Sequence, residues 1–482
     1  MILGFVILYL LISLAIGLYA STRVHNASDF AVAGRTLPLP VVTATVFATW
    51  FGAETVFGIS ATFVKDGLHG VVADPFGSSL CLILAGLFFA RRLYRLNLLT
   101  IGDYYRMRYG RTVEVLCTLC IVASYLGWVS AQIKALGLIF NVVSQGMVSQ
   151  SAGMMMGTMI VLIYTAFGGM FSVAILDFVQ ITVIMGGMLY IASEISGLAG
   201  GVGAVIDHAA AAGKLNFFPT ANIGAWIPFI GAWITMMFGS IPQQDVFQRI
   251  TSAKNEVTAV RGSVLGGSLY FGFAFVPMFL AYAATLIDPH MFGTLLKTDS
   301  QLILPTLILQ HTPLPAQIIF FGAVLSAIMS CSSATLLAPS VAFSENIIKG
   351  LVPQMDDRTL LRIMRLVLVC FAGVVLIFAL NSQASIFKMV ESAYKVTLVA
   401  AFIPLVAGLY WRRANTHGAI GAVAAGLITW ITLELVGSTD SVWPPQVVGF
   451  LMAIIGMILG SLLPRRVLKP THARVTLFSS RR

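Results

Sequence analysis

TATVFATWFGAETVFGISATF, residues 43–63, is the stretch on which the fold turns. It fills an apolar span, Val41–Val64, that is long enough to cross a bilayer, yet Glu54 stands in its middle with Gly52 and Gly58 on either side. An ionisable residue at membrane depth marks a functional site or a paired structural charge. Glycine beside it points to an unwound helix, which frees backbone carbonyls for a cation and half-helix N-termini for an anion. A counterpart lies at 226–247, WIPFIGAWITMMFGSIPQQDVF, where Gly239, Ser240 and Pro242 interrupt the helix. Proline there lacks a donor and clashes one turn back. Two interrupted spans at corresponding places, five spans apart, point to inverted repeats with a transport site between them.

The composition agrees with a polytopic membrane protein. Of 482 residues, 58% are hydrophobic and 10% charged, against about 25% charged in soluble domains. The net charge of +10 is spread between apolar segments rather than gathered on one face, which argues against nucleic acid as a partner. Cysteines 81, 117, 120, 331 and 370 sit in apolar stretches and are expected to be reduced; Cys117 and Cys120 form CTLC, but no matching His or Cys group makes a metal site of it. The N-terminal MILGFVILYLLISLAIGLYA has no basic n-region and is expected to be an uncleaved first helix.

Thirteen apolar spans are expected, at about 2–21, 40–64, 72–91, 112–143, 150–167, 172–196, 222–247, 259–287, 315–346, 363–381, 387–411, 416–437 and 443–464. Only helices can satisfy their own backbone in lipid at such lengths. The fold class is therefore all-α. Arginine marks alternate loops: Arg23 and Arg35, the run Arg91 to Arg111, Arg249 and Arg261, Arg358 to Arg365, Arg412 and Arg413, and a basic tail after Pro464. The other loops hold only Lys65, Lys214, Lys297 and Lys388, so the N-terminus is expected outside and the C-terminus in the cytoplasm. The resulting division is an extra helix and inner loop (1–39), a first repeat (40–196), an outer loop (197–221), a second repeat (222–411), two further helices (412–464) and a basic cytoplasmic tail (465–482) too short to fold as a domain. Segment 92–111, RLYRLNLLTIGDYYRMRYGR, is basic and amphipathic and is expected along the inner surface.

A second informative run is SAIMSCSSATLLAPS, 326–340, inside an apolar span. Hydroxyls in hydrocarbon need partners. They either bond back to their own helix where helices pack closely, or line a cation site. Ala327, Ser330 and Cys331 share one face. Further charges within spans are Lys134, Asp177, Glu391 and Lys395. Glu391 and Lys395, at i and i+4, read as a mutual pair. Lys134 can snorkel, pair with Asp177 or Glu54, or meet an anionic solute. Asp177 either relays a cation or caps a helix end.

With these residues in place, the chain resembles the sodium/solute symporter family. The motifs are SDFAVAGRTLP (28–38), LTIGDYYRMRYG (99–110), YTAFGGMFSVAILDFVQ (164–180), FQRITSAK (247–254) and SAIMSCSSATLLAPS (326–340), in order. The resemblance implies a LeuT-like five-plus-five inverted-repeat core. It implies a sodium site at the carbonyls of Ala48, Phe51 and Ala327 and the side chains of Ser330 and Cys331, with Asp177 in sodium binding or release. Oxygen suits a hard cation. Cys331 departs from the pattern, because a thiol is soft and a weak acceptor. Local likeness is to the choline-transporter branch, in TATVFATWFG, SLCLILAGLFFA and FGSIPQQDVFQR. Trp50 and Trp128 match two aromatics of its cation–π box, while Ser78 and Gln243 replace the other two. Asp74 and Gln243 point instead to a solute with hydrogen-bonding groups, an amine or amino acid.

The expected function is secondary active transport, inward Na⁺ movement driving uptake of a small organic solute bound among Trp50, Glu54, Asp74, Ser78, Trp128 and Gln243. Na⁺ is the coupling ion and no other cofactor is expected; the bilayer is the only further partner. Proton coupling through Asp177, Glu54 or Lys134 is the alternative within transport, and a non-transporting membrane sensor is an alternative of another class. No HExxH or GxSxG occurs, so an enzyme is not expected. The absence of a presequence suggests a bacterial inner membrane.

Overall fold

The computed structural model describes residues 1–219, 223–352, 354–436 and 442–462. Among them all regular structure is helical, save one isolated bridge between Leu37 and Ala253. The basic tail read at 465–482 lies outside the described residues.

The main helices are α1 (Ile2–Ala20), α2 (Leu39–Trp50), α3 (Glu54–Asp66), α4 (Leu68–Arg95), α5 (Ile101–Tyr109), α6 (Arg111–Val143), α7 (Gln150–Leu198), α8 (Val202–Ala211), α9 (Gly224–Gly239), α10 (Gln244–Ser252), α11 (Glu256–Ile287), α12 (Leu314–Leu351), α13 (Asp357–Asn381), α14 (Ile386–Tyr410), α15 (Thr416–Val436) and α16 (Pro445–Leu462). Among the described residues ten are long and apolar enough to cross a membrane, twelve spans when each bent pair is taken as one. At 49 residues α7 would be roughly 74 Å long, more than two bilayer cores. It is divided at Gly169, whose φ of 49° and ψ of −139° no helix accommodates. Tyr164 and Leu176, on either side, both crowd Gly17. A straight helix would hold them about 18 Å apart. The chain therefore reverses at Gly169 and α7 supplies two spans, giving the thirteen expected from hydropathy. Glycine is required there twice over: φ is positive, and a Cβ would lie 2.5 Å from the Phe30 carbonyl oxygen.

Both spans read as interrupted are bent. α2 and α3 meet at 51°, and α9 and α10 at 46°. Each break is seated against a neighbour that leaves no room for a side chain. A Cβ on Gly52 would stand 2.8 Å from the Cys331 Cβ, and one on Gly239 2.5 Å from the Tyr394 carbonyl oxygen.

At the centre runs α12, in which every residue from Ala323 to Ala342 is buried. A helix hydrophobic on all faces belongs in the middle of a bundle. It packs on α6, α7, α2 and α13. The first helix is tied to this core at both ends: Tyr9 OH lies 2.5 Å from Ser326 Oγ, and Ser172 Oγ donates to Gly17 O at 2.5 Å.

One end of the bundle gathers the arginines. Arg95 Nε meets Glu256 Oε2 at 2.7 Å, Arg92 donates to Leu409 O at 2.8 Å and Arg108 Nε to Gly408 O at 3.0 Å. The 92–111 segment differs from the surface-lying helix expected. Its helical part, α5, opens with a Thr100–Asp103 capping box. It then buries Tyr104, Tyr105 and Tyr109 in protein, with the Tyr105 and Tyr109 hydroxyls donating to the carbonyls of Ala401 (2.9 Å) and Pro404 (2.8 Å). Tyrosine supplies large apolar area with a polar tip, and here α14 takes up both. Glu391 and Lys395 do not form the expected pair: Lys395 Nζ lies 3.7 Å from Glu434 on α15. The 197–221 segment carries α8.

Candidate functional site

The six buried hydroxyls between 326 and 340 on α12 separate into two kinds. Ser326, Ser332, Ser333, Thr335 and Ser340 bond back to carbonyls of their own helix, at 2.6–2.9 Å. That is the packing use of Ser and Thr in apolar helices. Ser330 alone among these six is bonded to groups on other helices through both of its contacts. Its Oγ lies 3.2 Å from Ala48 O on α2 and 2.5 Å from Asp177 Oδ1 on α7. The break in the first bent span explains why Ala48 O is available. Gly52 N, which would bond it in a continuous helix, bonds Trp50 O at 3.1 Å instead.

Three oxygens from three helices thus meet in a buried place, one on a carboxylate whose other oxygen, Oδ2, is buried without a partner. A hard monovalent cation fits that donor set. Phe51 is fully buried at the break, with a non-helical ψ of 84°, and Ala327 is fully buried one turn before Ser330. The Cys331 thiol faces elsewhere: it packs on Gly52 and lies 4.0 Å from Glu54 Oε1.

Glu54 begins α3 directly after the break and is 1% exposed. Trp128 Nε1 donates to its Oε1 at 3.2 Å, and Gln132 Nε2 donates to its Oε2. Gln132 has a second task, accepting from Ala53 N at 2.9 Å. Asp74 lies close enough to act on Glu54 electrostatically. Its Oδ1 accepts from Ser78 Oγ and from Tyr270 OH (2.6 Å), while Oδ2 is buried without a partner. Ser78 thus serves Asp74. Gln243 precedes α10 and donates to Ser124 Oγ at 2.9 Å.

Trp50 and Trp128 lie with ring centroids 5.3 Å apart, and a third ring that the sequence reading missed completes the cluster. Tyr394 of α14 stacks on Trp50 at 5.7 Å and 14°, and stands 5.4 Å from Trp128. Its hydroxyl is buried and unpartnered. Tyr394 follows Glu391 by three residues, the spacing of one helix face, and that was the signal available.

Lys134 pairs with neither Asp177 nor Glu54. Its ammonium donates to Ala384 O at 2.7 Å and Ser382 O at 3.4 Å, just past the end of α13. It lines an open vestibule shared with Gly58, Lys65, Asp299 and Phe387. The same Phe387 walls a crevice, closed to water in this arrangement, whose other lining includes Glu54, Asp74, Met236 and Glu391. One side chain therefore separates an open vestibule from the carboxylates at the helix break.

The sodium:solute symporter family model matches residues 30–426. A high-affinity choline transporter of Caenorhabditis elegans is 27% identical over 477 residues, covering 92% of this chain and 79% of its own length. The Homo sapiens high affinity choline transporter is 27% identical over 448 residues, covering 89% and 76%. A sodium/proline symporter of Haemophilus influenzae is 25% identical over 486 residues, covering 95% and 94%. Among solved structures, a Na⁺-coupled sialic acid symporter in an outward-open state superposes with a TM-score of 0.79 at 20% identity, over 96% of this chain and 98% of that one. A nucleobase-cation-symport-1 family transporter gives 0.59 at 14%, over 90% and 92%. The structural likeness establishes the LeuT fold. With a family match from before the first bent span to beyond α14, the chain belongs to the sodium:solute symporter family and is a membrane-embedded, Na⁺-coupled solute transporter rather than an enzyme.

Proposed function

We propose that inward movement of Na⁺ through a site at Ala48, Phe51, Ala327 and Ser330, with Asp177 beside it and the Cys331 thiol turned away, drives uptake of a small amine or amino acid. The observation that carries the reading is the Ser330 hydroxyl, shared between Ala48 O and Asp177 Oδ1. An ion there bridges α2 and α12 and stabilises one arrangement of the two. Asp177 supplies the negative charge and passes the ion onward when the helices part. The solute binds one turn away, among Trp50, Glu54, Asp74, Ser78, Trp128 and Gln243. Asp74 and Ser78 bond each other, and Glu54 is held by Trp128, which supports a single connected polar patch beside the break.

The repeats are taken as 40–196 and 222–411, flanked by 1–39, 197–221, 412–464 and 465–482. Alternating access follows from rocking of one bundle on the other about the two bends. The arginine-rich end is taken as cytoplasmic, with the N-terminus outside. The vestibule at Lys65 and Lys134 then faces outward and Phe387 closes it. The membrane is taken as a bacterial inner membrane, which the Haemophilus relative supports. At −100 mV each inward charge gains about 2.3 kcal/mol, the available driving force.

The test is the melting temperature of purified protein titrated with NaCl against KCl at constant ionic strength. A ligand of the folded state raises it by mass action. A Na⁺-specific rise, lost in Ser330→Ala and in Asp177→Asn, supports the site. Equal behaviour in both salts overturns it.

A further inference from the structure

We propose that the solute taken at the helix break is a compact protonated amine that keeps N–H donors and carries no carboxylate. This rests on the transport reading above and selects within it.

Three carboxyl side chains from three spans, Glu54 of α3, Asp74 of α4 and Glu391 of α14, line one crevice with Ala73, Met236, Phe387 and Val390. No basic side chain is among its walls. Lys395 and Lys388 act on Glu391 from outside the crevice, and the Lys395 ammonium lies 3.7 Å from Glu434. An acidic cluster alone says little, but Asp74, which lines this crevice, is 1% exposed and its Oδ2 has no donor. A buried carboxylate oxygen left without a donor is costly. Its complement is an N–H carried on a cation. Among the described residues no three His, Cys, Asp or Glu converge closely enough to hold a metal ion.

The same geometry excludes two neighbouring classes. An amino acid brings its own carboxylate, and the natural seat for one is the amide end of a half-helix. That seat is taken at α3. Ala53 N already donates to Gln132 Oε1 at 2.9 Å, Gly52 N donates to Trp50 O, and Glu54 itself puts negative charge in the first turn. A quaternary ammonium has no N–H for Asp74 and relies on ring faces. A cation held between two faces separates them by on the order of 10 Å. Trp50, Trp128 and Tyr394 instead pack on one another with centroids 5.3–5.7 Å apart. No cation fits between ring faces packed that closely.

The experiment uses the purified full chain in NaCl, with thermal shift and calorimetric titration. The probes are dimethylamine, ethanolamine and 1,4-diaminobutane, against choline, glycine betaine and proline. At least one N–H amine is expected to bind at least tenfold more tightly than choline, betaine and proline. Asp74→Asn, and separately Glu391→Gln, are expected to weaken that binding at least tenfold while leaving the NaCl-induced shift of the solute-free protein in place, which also reports that each variant is folded. Proline or choline binding as tightly as the amines overturns the inference. So does silence from every amine, or amine affinity unchanged in both variants. A solute-free protein that ignores NaCl fails the sodium reading alone; one that responds to NaCl but to no amine fails this inference alone.

Discussion

Ser330 Oγ stands 3.2 Å from Ala48 O, joining the middle of α12 to the last turn of α2 before its break. The same hydroxyl holds Asp177, whose second carboxylate oxygen is already without a partner. Ser330→Ala therefore removes the proposed cation ligand and strands a buried carboxylate. The cost of the stranded group is about 1–3 kcal/mol, visible as a lower melting temperature in KCl, and apparent Na⁺ affinity is expected to fall at least tenfold. Ser332→Ala is the matched control. Ser332 bonds only its own helix, at Ile328 O, so stability is expected to move by about 0.5 kcal/mol or less, with Na⁺ response unchanged. Equal effects of the two substitutions would remove the distinction drawn between packing hydroxyls and the ligand.

Gly52→Ala tests whether the break must sit tightly on α12. The added methyl would stand 2.8 Å from Cys331 Cβ and 2.9 Å from Gln132 Oε1. Gln132 bridges Ala53 N and Glu54, so it cannot retreat without freeing both. Overpacking of this kind costs about 1–3 kcal/mol. Uptake is expected to be lost while the protein still folds. A variant that melts and transports normally would show that the break closes more loosely than the geometry here.

Much of this was legible before any coordinates, and the reasons are local. Lengths of apolar chain set the spans, and Gly52, Gly239 and Pro242 announced the bends because each acts on the backbone within a turn of itself. Ser330 could be placed on a face with Ala327, but not told apart from Ser332 and Ser333, because which hydroxyl back-bonds depends on neighbours hundreds of residues away. The Glu391–Lys395 reading failed for the same reason. Spacing made them neighbours, and packing gave Lys395 to Glu434 and Glu391 to the crevice. Lys134 was unreadable because its partners are bare carbonyls at 382 and 384, which carry no sequence signal. Tyr394 joined Trp50 and Trp128 only through the contact of α14 with α6.

Asp288 offers a pH test outside the spans. It caps the helix Pro289–Thr298 by accepting from Met291 N at 2.9 Å, and it meets His311 Nε2 at 3.0 Å. The Met291 amide, and then His311, hold its carboxyl below the usual range. A carboxyl lowered in the folded state stabilises above its unfolded value, about 3.9, and that contribution disappears as pH falls through the lower folded value. Melting temperature is therefore expected to drop below about pH 4 by more in the parent than in Asp288→Asn. The group is partly open to solvent, so the difference is small, and amide exchange across 289–298 is the sensitive measurement. Identical acid profiles would remove the cap from the account.

Asn346 provides the last test, at the arginine-rich end. It is fully buried near the end of α12, and its amide is completely used. Oδ1 accepts from Thr100 Oγ1 at 2.7 Å, and Nδ2 donates to Asp103 Oδ1 at 2.9 Å and Glu114 Oε1 at 3.0 Å. Arg111 closes the cluster, meeting Glu114 Oε2 at 2.9 Å and donating to Ile347 O at 3.2 Å. One side chain thus fastens α5, the start of α6 and the far end of the helix that carries Ser330. Asn346→Ala takes a donor from two carboxylates at once and is expected to cost about 3 kcal/mol. Asn346→Asp keeps the volume but sets a third carboxylate against the other two, and is expected to be worse. If the fastening seals that end of the pathway, Asn346→Ala should also admit a membrane-impermeant thiol reagent to Cys331, which is buried in the parent. A variant that melts like the parent and keeps Cys331 protected would show that α12 is held there by packing alone.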